Sequence, residues 1–260
     1  MPVEPGTSAG PGKRMARIRL LLAYEGTRFA GWQTQAGERT VQAVLEAALE
    51  KIHGRPTAVS GAGRTDAGVH ATGQVAHFDT DRDSIPPERF ADALNGNLPH
   101  DVRVLKSEVA PPGFHARYSA VLRTYRYYIY STPVGFPHLR HFAWRVRRPL
   151  DLDRLNRYAA LVAGEHDFTS FAAAGDPNES KVRTVATSCF SRQGDFIVYH
   201  IAAPSFLWRM VRTIVGTMVE SALCDRSEQE FGAIFAARDR SAAGPTAPAR
   251  GLFLEEVHYS

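Results

Sequence analysis

The chain has 260 residues, 44% of them hydrophobic and 22% charged, with a formal net charge of +4. That is enough chain to bury an apolar core in one large domain or two modest ones. Its two cysteines, Cys189 and Cys224, exclude a disulfide framework and a four-thiolate zinc site. No apolar run approaches the length of a membrane span, so a reducing, cytoplasmic setting is expected. The lysines are Lys13, Lys51, Lys106 and Lys181, which leaves nearly all of the 31 cationic side chains as arginine. Arginine forks onto phosphate and stacks on bases, so nucleic acid is a candidate partner class.

Residues 1–15 are rich in Gly, Pro and Ser and read as a flexible tail. The run RIRLLLAYE from Arg17 to Glu25 predicts a buried strand. Val41, Val44, Leu45, Ala48, Leu49 and Ile52 follow helical spacing. Strands are expected over Thr57–Ala62 and Gln74–Phe78. Ser84 ahead of Pro86 predicts a capped helix running to about Leu94, and Val102–Val109 a further strand. Pro111-Pro112-Gly113 breaks the pattern, which places a boundary between an N-terminal half, 16–112, and a C-terminal half, 113–260. In the second half, Val121–Tyr130 reads as a tyrosine-rich strand. Leu152, Leu155, Ala159 and Val162 mark a helix, and Val182–Phe190 with Phe196–Ile201 predicts a hairpin around Gln193-Gly194. A strong helical stripe runs from Leu207 to Val219, Ser227 with Glu230 makes a capping box, and Leu252–Val257 closes the chain as a strand. The expected fold class is α+β: two ferredoxin-like (split βαβ) halves whose sheets join around a central cleft.

The densest unusual stretch is GAGRTDAGVHATGQVAHFD, Gly61 to Asp79. Its glycines permit tight backbone geometry and close ligand approach around Arg64, Thr65 and Asp66. An aspartate two residues from an arginine can be kept ionised by it, and an ionised carboxylate in a partly dry pocket is a usable nucleophile. An ordinary surface Asp–Arg pair in a tight turn accounts for the same pattern equally well. The stretch matches neither the dinucleotide fingerprint nor the lysine-containing phosphate loop. His70, His77 and Asp79 read as packing and hydrogen-bonding residues rather than metal ligands.

GRTDAGVHATGQVAHF resembles the motif of the tRNA pseudouridine synthase A (TruA) family. The resemblance extends in order through YEGTRFAGWQTQ (Tyr24–Gln35), FHARYSA (Phe114–Ala120) with RTYRYYIY, GEHDFTSF (Gly164–Phe171), FLWRMVRTIVGTMVE and AGPTAPARGLFL. It implies an isomerase that detaches a uracil from its ribose, turns it and rejoins it through carbon, with no cofactor and no metal. The family's catalytic aspartate falls on Asp66. The resemblance further implies that Arg64 pairs with Asp66 and helps hold the target nucleotide, and that Tyr125 places its ring against the target base. Tyr127 and Tyr118 are the competing tyrosines for that role. Arg212 is expected in a buried pair with Asp66, and Leu252 over the other side of the uracil. The implied substrate is the anticodon stem-loop of tRNA, at uridines 38, 39 and/or 40. The implied assembly is a homodimer, with the segment Tyr130–Trp144 a candidate interface. Arg28, Arg39, Arg82, Arg123 and Arg126 are candidates for a basic RNA-facing surface. Two other readings compete. One is a non-catalytic RNA-binding protein on the same scaffold. The other is a hydrolase pairing Asp66 with Asp79, Asp167 or Glu165.

Overall fold

A computed structural model describes residues 15–260. Apart from Met15, the expected tail lies outside the described residues. The first 112 residues supply β1 (Ala16–Tyr24), α1 (Val41–His53), β2 (Ser60–Gly61), β3 (His70–Thr80), α2 (Phe90–Asn95) and β4 (Val102–Val109). The remainder supplies β5 (Ala120–Ser131), β6 (Trp144–Val146), α3 (Leu152–Val162), β7 (Gly164–Asp167), β8 (Val182–Val185), β9 (Thr187–Gln193), β10 (Phe196–Ala203), α4 (Met210–Leu223), α5 (Glu228–Ala237) and β11 (Leu252–Tyr259). The fold is α+β, built on a nine-stranded mixed sheet in the order β4-β1-β3-β11-β5-β10-β9, with β2 beside β3 and β6 beside β5.

The strands from either side of residue 112 meet at one place, the short parallel pairing of β3 with β11, where Phe253 faces His70 and Leu254 faces Ala71. Gly73 makes this junction possible. A Cβ there would fall 1.9 Å from the carbonyl oxygen of Glu255, so no side chain fits.

Directly opposed residues in neighbouring strands share a face of the sheet. The registers therefore define one row across seven strands: Val102, Tyr24, Ala71, Leu254, Tyr125, Ile201 and Ser188. The next row along carries Leu252, Tyr127, Tyr199 and Phe190. The helices lie on this same face. The His53 ring of α1 meets Phe78 of β3 edge-on, and Ser188 of β9 donates its hydroxyl to the Ala159 carbonyl of α3 at 2.7 Å. One continuous core runs beneath them.

The helix ends follow their chemistry. The Thr40 hydroxyl accepts the amide of Ala43 at the start of α1, Asp151 caps α3, and Ser227 with Glu230 forms the expected capping box of α5. Other expectations shift. Ser84 caps nothing: a short 3-10 turn at Pro87–Arg89 leads into α2. The Thr57–Ala62 strand shrinks to Ser60–Gly61, while Gln74–Phe78 is the middle of a longer strand. Val182–Phe190 is not one strand. It splits at Ala186, with β8 pairing β7 in a separate two-stranded sheet and β9 pairing β10. The helical stripe begins at Met210 rather than Leu207.

The segment 244–251 is strapped along α4. The amide of Gly244 donates to Thr217 Oγ1 at 3.0 Å, and the amide of Ala247 to the carbonyl of Arg212 at 3.0 Å. The strap runs so close that a Cβ at Gly216 would lie 1.8 Å from the Pro245 carbonyl oxygen. In a free helix, glycine to alanine stabilises by about 1 kcal/mol. Here the sign reverses: Gly216→Ala is expected to lower unfolding free energy by about 1–3 kcal/mol, the range for overpacking. Urea denaturation measures this, and a stabilised variant would show that strap and helix are not in contact.

Candidate active site

Asp66 sits in the loop between β2 and β3, at the end of β3 that meets β11. The loop is held from behind by buried polar contacts. Tyr24 and Thr65 share a hydrogen bond between their hydroxyls at 2.9 Å, and the Gln74 amide donates to the Gly63 carbonyl at 2.9 Å. In front of them, the Trp32 amide donates to the Thr65 carbonyl at 3.1 Å and the Gly68 amide to the Phe29 carbonyl at 3.2 Å. Burial pushes the Tyr24 phenol up to about 12, partly opposed by its hydrogen bonds with Thr65 and Gln74, so it stays protonated and able to donate. The loop shape is thus set by hydrogen bonds from β1, β3 and the 29–32 turn. Its tip keeps the Asp66 carboxylate 20% exposed.

The partner of that carboxylate comes from α4. Arg212 Nη1 donates to Asp66 Oδ2 at 2.9 Å, and Arg212 Nε donates to the Ala247 carbonyl at 2.8 Å. Arg212 is only 15% exposed. Its guanidinium is therefore fixed at two edges, one by the strap and one by the carboxylate. This is the buried pair the sequence leads one to expect. The expected Arg64–Asp66 pair is not formed: Arg64 is exposed and makes no ion pair among the described residues. The guanidinium that reaches Asp66 comes instead from 146 residues away.

The two central rows of the sheet supply the floor. Tyr125 is buried, and its ring meets Phe206 edge-on at 5.2 Å. Burial raises its phenol well above the usual range, and the neighbouring Tyr24 and Asp66 push it the same way. Tyr127, on the same strand face, is committed elsewhere: its hydroxyl donates to the Pro248 carbonyl at 2.7 Å under the strap. Tyr118 is 77% exposed and lies against His115. Leu252 is buried opposite Tyr127, one row along from Tyr125.

Several side chains singled out in the sequence have structural duties. His70 accepts the Gly26 amide at Nδ1 (3.0 Å), so its Nε2 carries the hydrogen and donates to the His141 carbonyl at 2.8 Å. His77 accepts the Ala116 amide, and burial pushes its pKa down to about 4, aided by the nearby Arg17 and His115. Asp79 is bound twice by Arg17, at 2.7 and 2.8 Å. Asp167 holds Thr169 and pairs with Arg238, while Glu165 lies exposed in β7. The candidate acid partners of a paired-carboxylate hydrolase thus sit in contacts or positions of their own.

The proposed basic surface is also thinned. Arg39 forks onto Asp101 and covers the Phe29 ring at 4.0 Å, and Arg126 pairs with Glu255. Arg123 is turned inward. It donates to the carbonyls of Ala62, Arg117, Ala120 and Pro204, tying the Asp66 loop to the Phe114–Ala120 turn. Arg28 and Arg82 remain exposed. The Tyr24–Thr65–Gln74 support and the inward Arg123 escape the sequence reading. Tyr24 shares the buried parity of Ile18, Leu20 and Leu22, a signal that packing alone also explains.

The Asp66–Arg212 pair is expected to couple by about 1 kcal/mol or more in a double-mutant cycle of Asp66→Ala and Arg212→Ala, read by urea unfolding. Additivity within about 0.3 kcal/mol would mean that the two side chains do not interact.

Comparison with known proteins bears on this arrangement. A family model described as tRNA pseudouridine synthase matches residues 21–119 and 158–260. The tRNA pseudouridine synthase A of Halalkalibacterium halodurans is 47% identical over 239 residues, covering 92% of this chain and 90% of that protein. Its counterpart of the same name in Moorella thermoacetica is 46% identical over 247 residues, covering 94% and 100%. The one in Treponema denticola is 43% identical over 247 residues, covering 93% and 92%. With nearly the whole chain matched, and with an aspartate loop and an arginine helix meeting over the middle of the sheet, the protein belongs to the tRNA pseudouridine synthase family.

Proposed function

We propose that the protein converts uridine to pseudouridine in the anticodon arm of tRNA, at positions 38, 39 and/or 40, with Asp66 as the catalytic carboxylate. The observation that carries this reading is the Asp66 carboxylate held at 2.9 Å by Arg212 over the row containing Tyr125. In the reaction the bond from the ribose anomeric carbon to N1 breaks and a bond to C5 forms. The hydrogen on C5 leaves and N1 gains one, so atoms balance without a cofactor. A carboxylate oxygen can begin this at the anomeric carbon, at the ring, or by proton removal towards a glycal. Each route needs that oxygen beside a nucleotide turned out of its stack.

Tyr125 is the ring against the target base, and Leu252 closes its other side. An apolar lining limits capture of the detached sugar by water. The Tyr125 phenol stays protonated at working pH, so it can donate a hydrogen bond. Arg212 fixes the carboxylate rather than reading RNA. Arg64, exposed on the loop and without a carboxylate partner among the described residues, contacts the target nucleotide or its stem. The division at residues 112 and 113 is the reading favoured by the single β3–β11 junction. Among the described residues, no helix is long and apolar enough to cross a membrane, in keeping with a cytoplasmic enzyme acting on tRNA.

The working assembly is a homodimer. The sheet face opposite the helices carries a groove of about 330 Å³ lined by Tyr128, Leu139, Phe142, Phe196 and Phe253, together with Thr72 and the Arg126–Glu255 pair. Val134, Phe136 and Phe142 stay exposed beside it. An apolar patch of this kind is unusual on a monomer, and it includes Leu139 and Phe142 of the Tyr130–Trp144 segment. Sedimentation is expected to give a dimer that Phe142→Glu dissociates, and a monomeric wild-type protein would overturn the assignment.

The functional test is incubation with unmodified tRNA followed by position-by-position mapping of pseudouridine. Product is expected at positions 38 to 40. Asp66→Asn is expected to abolish it while tRNA still binds, and Asp66→Glu to fail as well because one methylene misplaces the oxygen. Normal product from either variant would remove Asp66 from the mechanism. Release of free uracil would point to a hydrolase instead.

A further inference from the structure

Between the two ends of the site lies a short segment that the catalytic arrangement does not use. Phe206 meets Tyr125 edge-on, and Arg212 holds Asp66. The chain from one to the other therefore runs along the rim of the site. Within it, Leu207 and Met210 are buried, whereas Trp208 and Arg209 point outward. Trp208 is 45% exposed, and the Arg209 guanidinium sits over its indole at 4.8 Å. Arg209 makes no ion pair among the described residues.

The backbone here is strained and firmly held. Arg209 has φ of 61° and ψ of 6°, the left-handed region, at the position that caps α4. Capping residues ordinarily take extended backbone, and a side chain with a Cβ is disfavoured in the left-handed region. The other two non-glycine residues of positive φ, Asp225 and Arg238, follow the ends of α4 and α5, where that conformation is common. Arg209 alone takes it at a helix start.

Neighbouring contacts impose this shape. The Trp208 amide donates to Asp176 Oδ2 at 2.6 Å, and the Trp208 carbonyl accepts the Ala173 amide at 2.9 Å. The Asp176 side chain is itself fully buried and bound by the Lys181 ammonium at 2.8 Å. Burial works to raise its pKa, but Lys181, the Trp208 amide and Asn178 overcome that and hold it well below the usual carboxylate range. A buried ion pair thus pins the peptide that presents an exposed indole and an unpaired guanidinium. Apolar surface left in water and a disfavoured backbone are both unfavourable in the free protein. Strain of this kind collects where a ligand is bound.

We propose that Trp208 and Arg209 form a second nucleotide site, which takes an unpaired nucleotide of the substrate RNA next to the everted uridine. The base stacks on the indole, and the guanidinium swings to the phosphate beside it. The chemistry favours single-stranded RNA over a paired stem, because a base must be unstacked to offer its face to an indole. Arginine supplies the charge that such a site needs for phosphate. This inference rests on the proposed action on tRNA, since it places the second nucleotide relative to the first.

The test uses the full chain and unmodified tRNA. Trp208→Ala is expected to weaken tRNA binding about tenfold, within the range for loss of one base–aromatic stack. The loss should fall on KM more than on kcat, and Trp208→Phe, which keeps a ring, should recover most of it. Arg209→Ala should lower the slope of log affinity against log salt by about one. Tryptophan emission should be quenched by tRNA in the wild type, and largely not in Trp208→Phe. Thermal melts of both Trp208 variants separate a folding defect from a binding one, and the Arg209 variant provides an independent arm. Wild-type affinity and salt slope in Trp208→Ala and Arg209→Ala would overturn the second site. If Asp66→Asn still lost all product in that case, the proposed reaction would stand without it. If the wild type made no pseudouridine yet tRNA still quenched Trp208, the reaction would be wrong and the RNA site would remain.

Discussion

The contact between the Asp66 carboxylate and the Arg212 guanidinium organises the centre of this molecule. Neither group is free to choose another partner. Arg212 is held at its other edge by the Ala247 carbonyl, and Asp66 stands on a loop whose backbone is anchored by Trp32, Phe29 and Gln74. A partly buried ion pair is a weak source of net stability, because desolvation offsets most of the attraction. Its value lies in position: it fixes one oxygen relative to a sheet floor that comes largely from the other end of the chain.

That arrangement depends on how the two parts of the sheet are joined. The β3–β11 pairing is short, parallel and closed around Gly73, so the loop before β3 and the start of β11 lie side by side. The row through Tyr24, Ala71, Leu254 and Tyr125 then crosses the junction without a break. The Asp66 loop is supported from Tyr24 at one end of this row. Tyr125 stands further along the same row. The strap 244–251 completes the frame by binding α4 and delivering Leu252 to the sheet edge of the site. Membership of the tRNA pseudouridine synthase family agrees with this frame, since the matched segments include the loop, α4 and the strap.

Most of the fold was legible in the residues. An apolar run marked β1, the Gln193-Gly194 turn marked β10, helical spacing marked α1, α3 and α4, and Ser227 with Glu230 announced α5 through its capping chemistry. The misplaced elements were those whose limits are set by long-range pairing. The apolar run 182–190 carries no local signal for its division at Ala186, because the division follows from two different partners, β7 and β10. Ser84 had the right chemistry for a cap but lay too far ahead of α2 to act as one.

What the sequence settled by itself was the chemistry available: one aspartate in a glycine-rich loop, a tyrosine-rich strand, an arginine beside an apolar helical stripe, and a family resemblance running through all of them. The resemblance offered Asp66 two guanidinium partners, Arg64 and Arg212, and only the tertiary structure decided between them. Local spacing favoured Arg64, two residues away, yet Arg64 stays exposed, while α4 brings Arg212 across 146 residues. The same reason separates Tyr125 from Tyr127. Both share one strand face, but the strap takes the Tyr127 hydroxyl at Pro248, while the Tyr125 ring packs against Phe206.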